Sequence, residues 1–447
     1  MSACKSFCIY PWMHLQLKPN GQAKPCCRFN HMNPAYNNAD GVPALAEYNV
    51  NKMTLTEISN SEFWKQLRQD MLDGKQIPEC HKCDRDDEHG NFSMRFNANR
   101  QWNDGNQDAP LDKYNSLKFE YLELTTGRYC NLKCRMCSSD LSTSWDDDDK
   151  VLAGHYYDRK DFSNRPSMLS LDFNEEDFEN TKLIKLTGGE PMLAPTFIPF
   201  IDKIIDSGYA KNINLEIYTN ASWVPKAKIL DRLDKFKNLN IFLSIDGLNE
   251  VNDYVRAPSK WEVVNESAET WIKYSKENLK YSIVFSPTIS LYNILNFPSM
   301  LRWWKDLQTT YFGEDFVLHA SDNEKAAIQY PGYIFNVGRL SPTMLQTPTY
   351  LSPCLLPNKV KVAKEIAAIS KELVKNATTN SELKYASAFE YMIDHIISHL
   401  VKAPVDILQT FVSYSADLDK LRSQKLQDAC PELWEQIKDQ VEYKGKL

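Results

Sequence analysis

Strand-like and helix-like segments alternate through the middle of the chain, from about residue 115 to about residue 320. Strand patterns occupy 119–125, 183–186, 213–218, 241–245, 281–287 and 316–319, and helical patterns occupy 197–205, 227–233 and 263–275. Repeated strand–helix units predict parallel strands joined by right-handed crossovers. Polar residues follow several of these strands, and barrels of this kind have their active sites at the carboxyl ends of the strands. We therefore predict an α/β fold, a partial (β/α)6 TIM-like barrel.

The first strand leads into a loop that carries three cysteines, Cys130, Cys134 and Cys137. Gly127 ends the strand, and the loop that follows is short. Three thiolates are one short of the four that close an iron–sulfur cluster. A cluster held in this way keeps one iron open, as a catalytic zinc site keeps an open position. The spacing alone leaves two alternatives, three reduced structural thiols or part of a zinc site.

The C-x3-C-x2-C spacing, with Met136 before the last cysteine, resembles the signature of radical S-adenosylmethionine (SAM) enzymes. The resemblance implies a SAM-binding [4Fe-4S] cluster on the three catalytic cysteines. Its open iron would bind the amino and carboxylate groups of SAM. An electron, delivered by a reductant such as flavodoxin or ferredoxin, would cleave SAM to methionine and a 5′-deoxyadenosyl radical that abstracts hydrogen from a substrate.

Further cofactor-binding candidates follow the later strands. Gly188-Gly189-Glu190-Pro191 resembles the family's GGE motif, in which the glycines let the backbone approach a ligand and Glu190 faces the SAM ammonium. Arg256, after Ser-Ile-Asp-Gly, resembles the arginine of SPASM-type members, whose fork-shaped cation suits the SAM carboxylate. The other candidates are Met136, Thr219, Asn220, Ser244 and Asp246. Core packing or ordinary strand-end polarity explains each of these equally well.

The first 112 residues contain a second group of cysteines. Residues 13–17 and 22–26 flank a Pro-Asn-Gly turn, so we predict a hairpin with Cys8 and Cys26 near its open ends. A helix predicted over 55–72 leads back to a C-x2-C knuckle formed by Cys80 and Cys83. These four thiolates suit either a zinc ion or an iron–sulfur cluster. Cys4 and Cys27 are spare, and Cys27 is an alternative to Cys26.

This arrangement is similar to the auxiliary-cluster modules called SPASM and, in shortened form, twitch. The resemblance implies an auxiliary [4Fe-4S] cluster on Cys8, Cys26, Cys80 and Cys83, although the module usually follows the barrel and here precedes it. Residues 88–97 and 417–433 also resemble stretches of twitch-bearing radical SAM proteins. Four thiolates leave no open iron, so this cluster would transfer electrons or organise the substrate pocket.

The last third of the chain has helical periodicity at 361–376, 383–400 and 405–426, and a final helix opens at Pro431. We predict a helical extension packed on the barrel. His395 and His399 lie one helical turn apart but lack the adjacent Glu of the zinc-protease motif, so we expect no metal there. The acidic run at residues 146–149 has the pattern of a solvated loop.

Composition restricts the function classes. Lys and Arg number 52 against 59 Asp and Glu, a net charge of −7 that argues against nucleic-acid binding through general electrostatics. Eleven cysteines, several of them in C-x2-C spacing, suit metal sites in a reducing cytoplasm. We see no run of 18 apolar residues and no signal-peptide pattern, so we expect no membrane span and a cytoplasmic location.

The sequence thus predicts three parts: an auxiliary iron–sulfur module at residues 1–112, a radical SAM barrel at 113–325 and a helical extension at 326–447. The expected substrate is a peptide that is oxidised or otherwise modified in place. One alternative is the dehydrogenation of a small molecule such as a sugar alcohol. The other is a non-catalytic iron–sulfur or zinc-binding protein on the same scaffold.

Overall fold

The computed structural model describes residues 7–30, 47–88, 93–105, 119–157, 173–278, 280–313, 340–375, 380–401 and 407–447. Within these ranges the chain forms a seven-stranded sheet in the order β2-β1-β3-β4-β5-β6-β7 and a separate pair of strands, β8 and β9. The strands are β1 His14–Leu17, β2 Ala23–Lys24, β3 Tyr121–Thr125, β4 Leu183–Thr187, β5 Asn214–Thr219, β6 Asn238–Leu243, β7 Tyr281–Phe285, β8 Thr288–Ile289 and β9 Thr343–Met344.

The helices lie mainly between and after these strands. They are α1 Tyr10–Met13, α2 Leu55–Ser59, α3 Glu62–Leu72, α4 His81–Glu88, α5 Met94–Gly105, α6 Asp146–Leu152, α7 Phe197–Asp206, α8 Ala227–Leu233, α9 Asn249–Val255, α10 Trp261–Glu277, α11 Phe297–Phe312, α12 Lys359–Val374, α13 Asn380–Val401, α14 Leu408–Arg422, α15 Leu426–Ala429 and α16 Pro431–Ile437. None of the helices in the described ranges is long and apolar enough to cross a membrane.

The two faces of the sheet differ sharply in polarity. One face carries Leu and Ile side chains such as Leu124, Leu186 and Ile217, all completely buried, as expected for the face that the crossover helices cover. The other face carries a layer of polar residues paired in register: Glu123 with Lys185, Lys185 with Glu216 and Glu216 with Asn240. This polar face is the inner face of the barrel, because side chains alternate along each strand.

The predicted α/β fold is confirmed, with an unexpected source for one strand. Strands β3 to β7 run parallel, and the sixth parallel strand is β1 of the N-terminal hairpin, which pairs with β3 from His14↔Tyr121 to Leu17↔Leu124. The hairpin itself is antiparallel, with Gln16 opposite Lys24. The strand predicted at 316–319 lies outside the described residues.

Two local predictions were wrong. The helix predicted over 55–72 is two helices, α2 and α3, because Asn60 and Ser61 leave the helical conformation and Thr54 with Glu57 forms a capping box at the start of the first. The acidic run is not a solvated loop but helix α6, in which Asp148 and Asp149 are buried. Both carboxylates have partners: Asp148 contacts Lys133 and Arg422, and Asp149 accepts a hydrogen bond from Ser139.

Candidate functional site

Cys130, Cys134 and Cys137, here called the triad, lie in the loop that follows the carboxyl end of β3. The loop is closed by a hydrogen bond from the Cys137 amide to the Cys134 carbonyl at 2.9 Å. Burial, with a smaller contribution from the neighbouring triad thiols, raises the pKa of the Cys134 thiol to about 11 and that of Cys137 to about 12. Each pair of triad thiols therefore interacts electrostatically, and bound positive charge would favour their thiolate forms.

A cluster and a single metal ion place different demands on the spacing of their ligands. Within the described ranges, no three His, Cys, Asp or Glu groups converge closely enough to bind one metal ion. A zinc ion holds each thiolate sulfur at about 2.3 Å, so its ligands must be packed tightly together. A [4Fe-4S] cluster is larger and is bound through separate irons.

Gly188 and Gly189 bring the end of β4 against the triad loop. A Cβ atom on Gly188 would lie 2.5 Å from the Gly127 carbonyl oxygen, and one on Gly189 would lie 2.2 Å from the Tyr129 carbonyl oxygen. The Gly189 and Glu190 amides donate to those same two carbonyls at 2.8 and 2.7 Å. These glycines allow close contact between two backbone segments, which differs from the direct ligand approach that the sequence suggested.

Glu190 is completely buried beside the triad. One carboxylate oxygen, Oε2, accepts a hydrogen bond from the Asn220 amide at 2.6 Å. The other, Oε1, has no hydrogen-bond partner among the described residues. Burial raises the pKa of Glu190 to about 7, against the lowering effect of the Asn220 and Thr219 hydrogen bonds and of Arg256. A buried acceptor with a free oxygen is suited to an ammonium group.

Asn220 connects Glu190 to the triad. Its Nδ2 group donates to the Asn131 side-chain oxygen at 2.9 Å and lies 3.8 Å from the Cys130 sulfur. Thr219 precedes it at the end of β5, and its carbonyl accepts from the Ser244 amide at 2.8 Å. Met136 is half-buried against the hydrophobic core. The structure thus brings Asn220 to the site directly, while Thr219 and Ser244 form its floor.

Arg256 is positioned by backbone pairing with the triad loop. The amides of Lys133 and Arg135 donate to the carbonyls of Ala257 and Val255, each at 2.8 Å. This pairing holds the positive charge of Arg256 near the triad, where it lowers the pKa of the Cys134 thiol against the raising effect of burial. Arg256 Nε also donates to Asp246 at 2.7 Å.

Asp246 is completely buried, and both of its carboxylate oxygens are occupied within the fold. One accepts from Arg256, and the other accepts from the Thr288 amide at 2.6 Å. Its backbone carbonyl accepts from Asn293 at 2.9 Å. Asp246 therefore orients Arg256 in this arrangement, whereas the sequence suggested a direct contact with the cofactor.

The four N-terminal cysteines, here called the quartet, converge at the opposite edge of the barrel. Every pair among Cys8, Cys26, Cys80 and Cys83 interacts electrostatically. Burial raises the pKa values of Cys8, Cys26 and Cys80, and neighbouring thiols raise them too; for Cys26 the largest of these is Cys27, followed by Cys80 and Cys83. Cys8 precedes β1 and Cys26 follows the antiparallel β2, so both lie where the parallel strands begin. The five residues of β3 span about 17 Å at ~3.3 Å per residue, and that length separates this edge from the triad edge.

Cys27 interacts electrostatically with the quartet member Cys26 and has a further contact of its own. Its sulfur contacts the Met94 sulfur at 3.6 Å, and its pKa is raised to about 12 by burial and then by Glu123. Glu123 belongs to the polar layer on the inner face of the barrel, where it contacts Lys185 Nζ and His14 Nε2, each at 3.3 Å. Although burial raises the pKa of Glu123, the cation of Lys185 and the other contacts lower it to about 2.

Sequence reasoning missed the contribution of the C-terminal helices. Arg135, between two triad cysteines, is fully buried and donates to Asp419 and, at 3.0 Å, to Gln424. Its guanidinium lies 3.4 Å from the centre of the Tyr254 ring. A lone arginine in a cysteine loop gives no local signal of such a partner. The charged residues near the end of α14, which include Arg422, were the sequence feature that could have indicated this contact.

Two family models match the chain. Residues 124–295, which include the triad and the candidates that follow β4 to β6, match the Radical SAM superfamily model. Residues 8–84, which include the whole quartet, match the model of the iron–sulfur cluster-binding domain called SPASM.

The curated relatives match over part of their length. The GTP 3′,8-cyclase of Aliarcobacter butzleri (strain RM4018) is 28% identical over 166 residues, which are 37% of this chain and 46% of the relative. The GTP 3′,8-cyclase of Pasteurella multocida (strain Pm70) is 26% identical over 205 residues, which are 44% of this chain and 53% of the relative. The chain therefore spans about half the length of the curated relatives it matches.

Similar solved structures include native anSMEcpe with bound AdoMet and a Cp18Cys peptide, at a TM-score of 0.33 and 15% identity, covering 57% of this chain and 59% of that one. They also include SuiB of Streptococcus suis bound to S-adenosylmethionine, at a TM-score of 0.29 and 18% identity, covering 56% and 53%.

Proposed function

We propose that this chain, a radical SAM superfamily protein with an N-terminal SPASM domain, is an enzyme that oxidises or otherwise modifies a peptide after hydrogen-atom abstraction. The observation that carries the proposal is the convergence of Glu190, Asn220 and Arg256 on the three neighbouring thiols of the triad. A bare structural thiol cluster has no need of a buried carboxylate with a free oxygen beside it.

In this proposal Cys130, Cys134 and Cys137 hold a [4Fe-4S] cluster and leave one iron for the amino and carboxylate groups of SAM. The chemistry supplied by a cluster bound there is one-electron reduction of SAM to methionine and a 5′-deoxyadenosyl radical, which takes a hydrogen atom from the substrate. As a radical SAM enzyme the protein needs an external reductant, and we propose flavodoxin or ferredoxin for this role.

The residues around the triad would bind and orient SAM. The unpartnered Oε1 of Glu190 would accept a hydrogen bond from the SAM ammonium, and this contact would lower the pKa of Glu190 from about 7. Arg256, held by Asp246, would direct its remaining donors to the SAM carboxylate. The Nδ2 group of Asn220, which lies 3.8 Å from the Cys130 sulfur, would stabilise the Cys130 thiolate. Thr219, Ser244 and Met136 would complete the walls of the pocket.

The quartet would hold an auxiliary [4Fe-4S] cluster on Cys8, Cys26, Cys80 and Cys83. Four thiolates occupy all of its irons, so these residues support electron transfer rather than SAM binding. The polar inner face lies between the two edges of the barrel, so a substrate there would have the triad on one side and the quartet on the other. The quartet site is therefore suited to accept the electron that an oxidised substrate gives up.

A second candidate is the modification of a small molecule. The sequence similarity to proteins named GTP 3′,8-cyclase favours it, although the match covers about half of their length. The charged layer of Glu123, Lys185 and Glu216 on the inner face suits a polar small molecule as well as a peptide. The two candidates share the same SAM chemistry and differ in the size of the substrate.

The test uses anaerobically reconstituted protein with SAM and dithionite, and measures 5′-deoxyadenosine by mass spectrometry. We expect product from the wild type and from Cys354→Ala, a half-buried cysteine remote from the triad, and none from Cys130→Ala/Cys134→Ala/Cys137→Ala. No product from a wild type that contains iron would contradict the enzyme proposal and favour a non-catalytic iron–sulfur protein.

Substrate class is tested with size-separated extracts of cells grown on deuterated medium. The fraction that contains the substrate transfers deuterium to the 5′-deoxyadenosyl radical, so 5′-deoxyadenosine becomes one mass unit heavier. We expect this label from the peptide fraction. Label from the fraction of metabolites alone would replace the peptide proposal with the small-molecule one.

A further inference from the structure

The last residue of α14, Arg422, reaches the region behind the triad loop from the C-terminal part of the chain. Its Nε donates to Asp148 Oδ2 at 2.8 Å, and Asp148 also contacts Lys133 of the triad loop at 3.1 Å. The guanidinium carbon lies 4.7 Å from the centre of the Trp145 ring. Trp145 in turn donates from its indole nitrogen to the Cys134 carbonyl at 2.9 Å.

Arg422 is an unusual cation because its charge is buried and only partly neutralised. Its side chain is 2% exposed, and its two terminal nitrogens have no hydrogen-bond partner among the described residues. The one carboxylate that it contacts, Asp148, is shared with Lys133. Burying an unsatisfied guanidinium is costly, so the fold must hold it there through other contacts.

Those contacts come from the neighbouring clamp around Arg135. Arg135 and Asp419 form a fully buried ion pair, and the Tyr414 hydroxyl donates to the Arg135 carbonyl at 3.2 Å. Asp419 also accepts from the Leu426 amide at 2.7 Å, which fixes the turn after Arg422. Helix α14 is thereby attached to the triad loop directly at Arg135, and indirectly through Asp148 of α6, which contacts both Arg422 and Lys133 of the loop.

The position of this charge matters for a redox site. Reduction adds one negative charge to a cluster, so a fixed cation nearby stabilises the reduced state and raises the reduction potential. Net charge, hydrogen bonding and solvent exposure are the protein's means of setting cluster potentials. Screening by solvent is weak at a side chain that is 2% exposed. Arg422 lies 4.7 Å from the centre of the Trp145 ring, and Trp145 donates to the Cys134 carbonyl, so this charge stands directly behind the triad.

We propose that Arg422 is a positioning residue for the triad site, and that its buried charge sets the reduction potential of the cluster bound there. This inference rests on the proposed function and extends it to the C-terminal helices. The Trp145 ring contacts the Arg422 guanidinium, and its indole nitrogen donates to the Cys134 carbonyl. These two contacts keep the charge at a fixed distance from the triad loop. The carboxylate of Asp148 partly neutralises the positive charge of Arg422.

The test is a potentiometric titration followed by the EPR signal that responds to added SAM, which separates the triad cluster from the auxiliary one. In Arg422→Gln we expect the ratio of reduced to oxidised cluster at a given potential to fall at least tenfold, equivalent to 59 mV for one electron. Arg422→Lys keeps the positive charge, so its reduction potential should stay close to that of the wild type. Lys420→Gln, an exposed lysine on the same helix, should leave the potential unchanged.

Asp148→Asn provides an independent variant in case Arg422→Gln loses iron. It removes the negative charge that Arg422 faces, so the potential should move in the opposite direction, upward. Equal potentials in the wild type, Arg422→Gln and Asp148→Asn would overturn the inference, as would the same shift in Arg422→Lys and Arg422→Gln. A wild type without a reducible, SAM-responsive cluster would instead overturn the proposed function.

Discussion

Glu190→Gln tests the electrostatics of the site without any iron present. Burial raises the pKa of Glu190 from 4.5 to about 7. A rise of about 2.5 corresponds to about 3 kcal/mol, since each pKa unit is worth 1.36 kcal/mol. Above pH 7 the folded protein must keep a buried carboxylate ionised, and below pH 4.5 the group is neutral in both the folded and unfolded states. The wild type therefore gains up to ~3 kcal/mol of stability as pH falls from 7 to 4.5.

Gln at this position is neutral at every pH, and its side-chain oxygen can still accept from the Asn220 amide. Its new amide donor adds a pH-independent cost of about 1–3 kcal/mol if it stays unpaired. The informative quantity is therefore the pH dependence of the difference in free energy of unfolding between the two proteins. We expect the Gln variant to gain about 2.5 kcal/mol relative to the wild type between pH 5 and pH 8, most of the full effect.

The assay is urea unfolding of iron-free protein with a chelator and a thiol reductant, followed by tryptophan fluorescence at several pH values. Glu266→Gln, an exposed glutamate on α10, serves as the matched control and should show no pH-dependent difference. A difference between wild type and Glu190→Gln that is the same at pH 5 and pH 8 would refute the argument that burial controls this carboxylate.

Three further predictions concern the fold around the two sites. Cys26→Ala should remove about four of about eight irons from reconstituted protein, because Cys26 interacts with the other quartet thiols. Cys27→Ala should keep all of them, because the Cys27 sulfur contacts Met94. Equal iron loss in both variants would contradict this assignment. Gly189→Ala should weaken SAM binding at least tenfold, since its Cβ would lie 2.2 Å from the Tyr129 carbonyl, and unchanged binding by calorimetry would show that the loop adapts. Arg135→Met should lower the free energy of unfolding by about 3–5 kcal/mol by leaving Asp419 buried and unpaired, and Arg135→Met/Asp419→Asn should recover part of that loss in the same urea assay.

The sequence predicted the parts of the site that depend on short-range spacing. The triad and the Gly-Gly-Glu turn each follow from residues close together at the end of a strand, and the quartet follows from a short hairpin and a separate C-x2-C pair. The choice between Cys26 and Cys27 did not follow, because β2 ends at Lys24 and strand alternation no longer applies. Both cysteines lie instead at a turn that is closed by a hydrogen bond from the Phe29 amide to the Cys26 carbonyl at 3.2 Å.

Long-range charge pairs were beyond the reach of sequence reasoning. Arg135 and Asp419 lie 284 positions apart, and neither has a local pattern that indicates a buried ion pair. The acidic run in α6 has the composition of an exposed loop, and only its distant partners show why Asp148 is buried. Asp246 likewise reads as a free carboxylate at a strand end until Arg256 and the Thr288 amide are seen to occupy it.

The pairing of β1 with β3 has a consequence for protein synthesis. Roughly 100 residues separate the two strands, and ribosomes add about 5–20 residues per second, so β1 waits about 5–20 s before its partner emerges. During that interval the hairpin has an open edge, and Cys8 and Cys26 are exposed to oxidants and to other nascent chains. Anaerobic expression slows the oxidation of these cysteines during that interval. We therefore expect it to raise the yield of protein with an intact quartet.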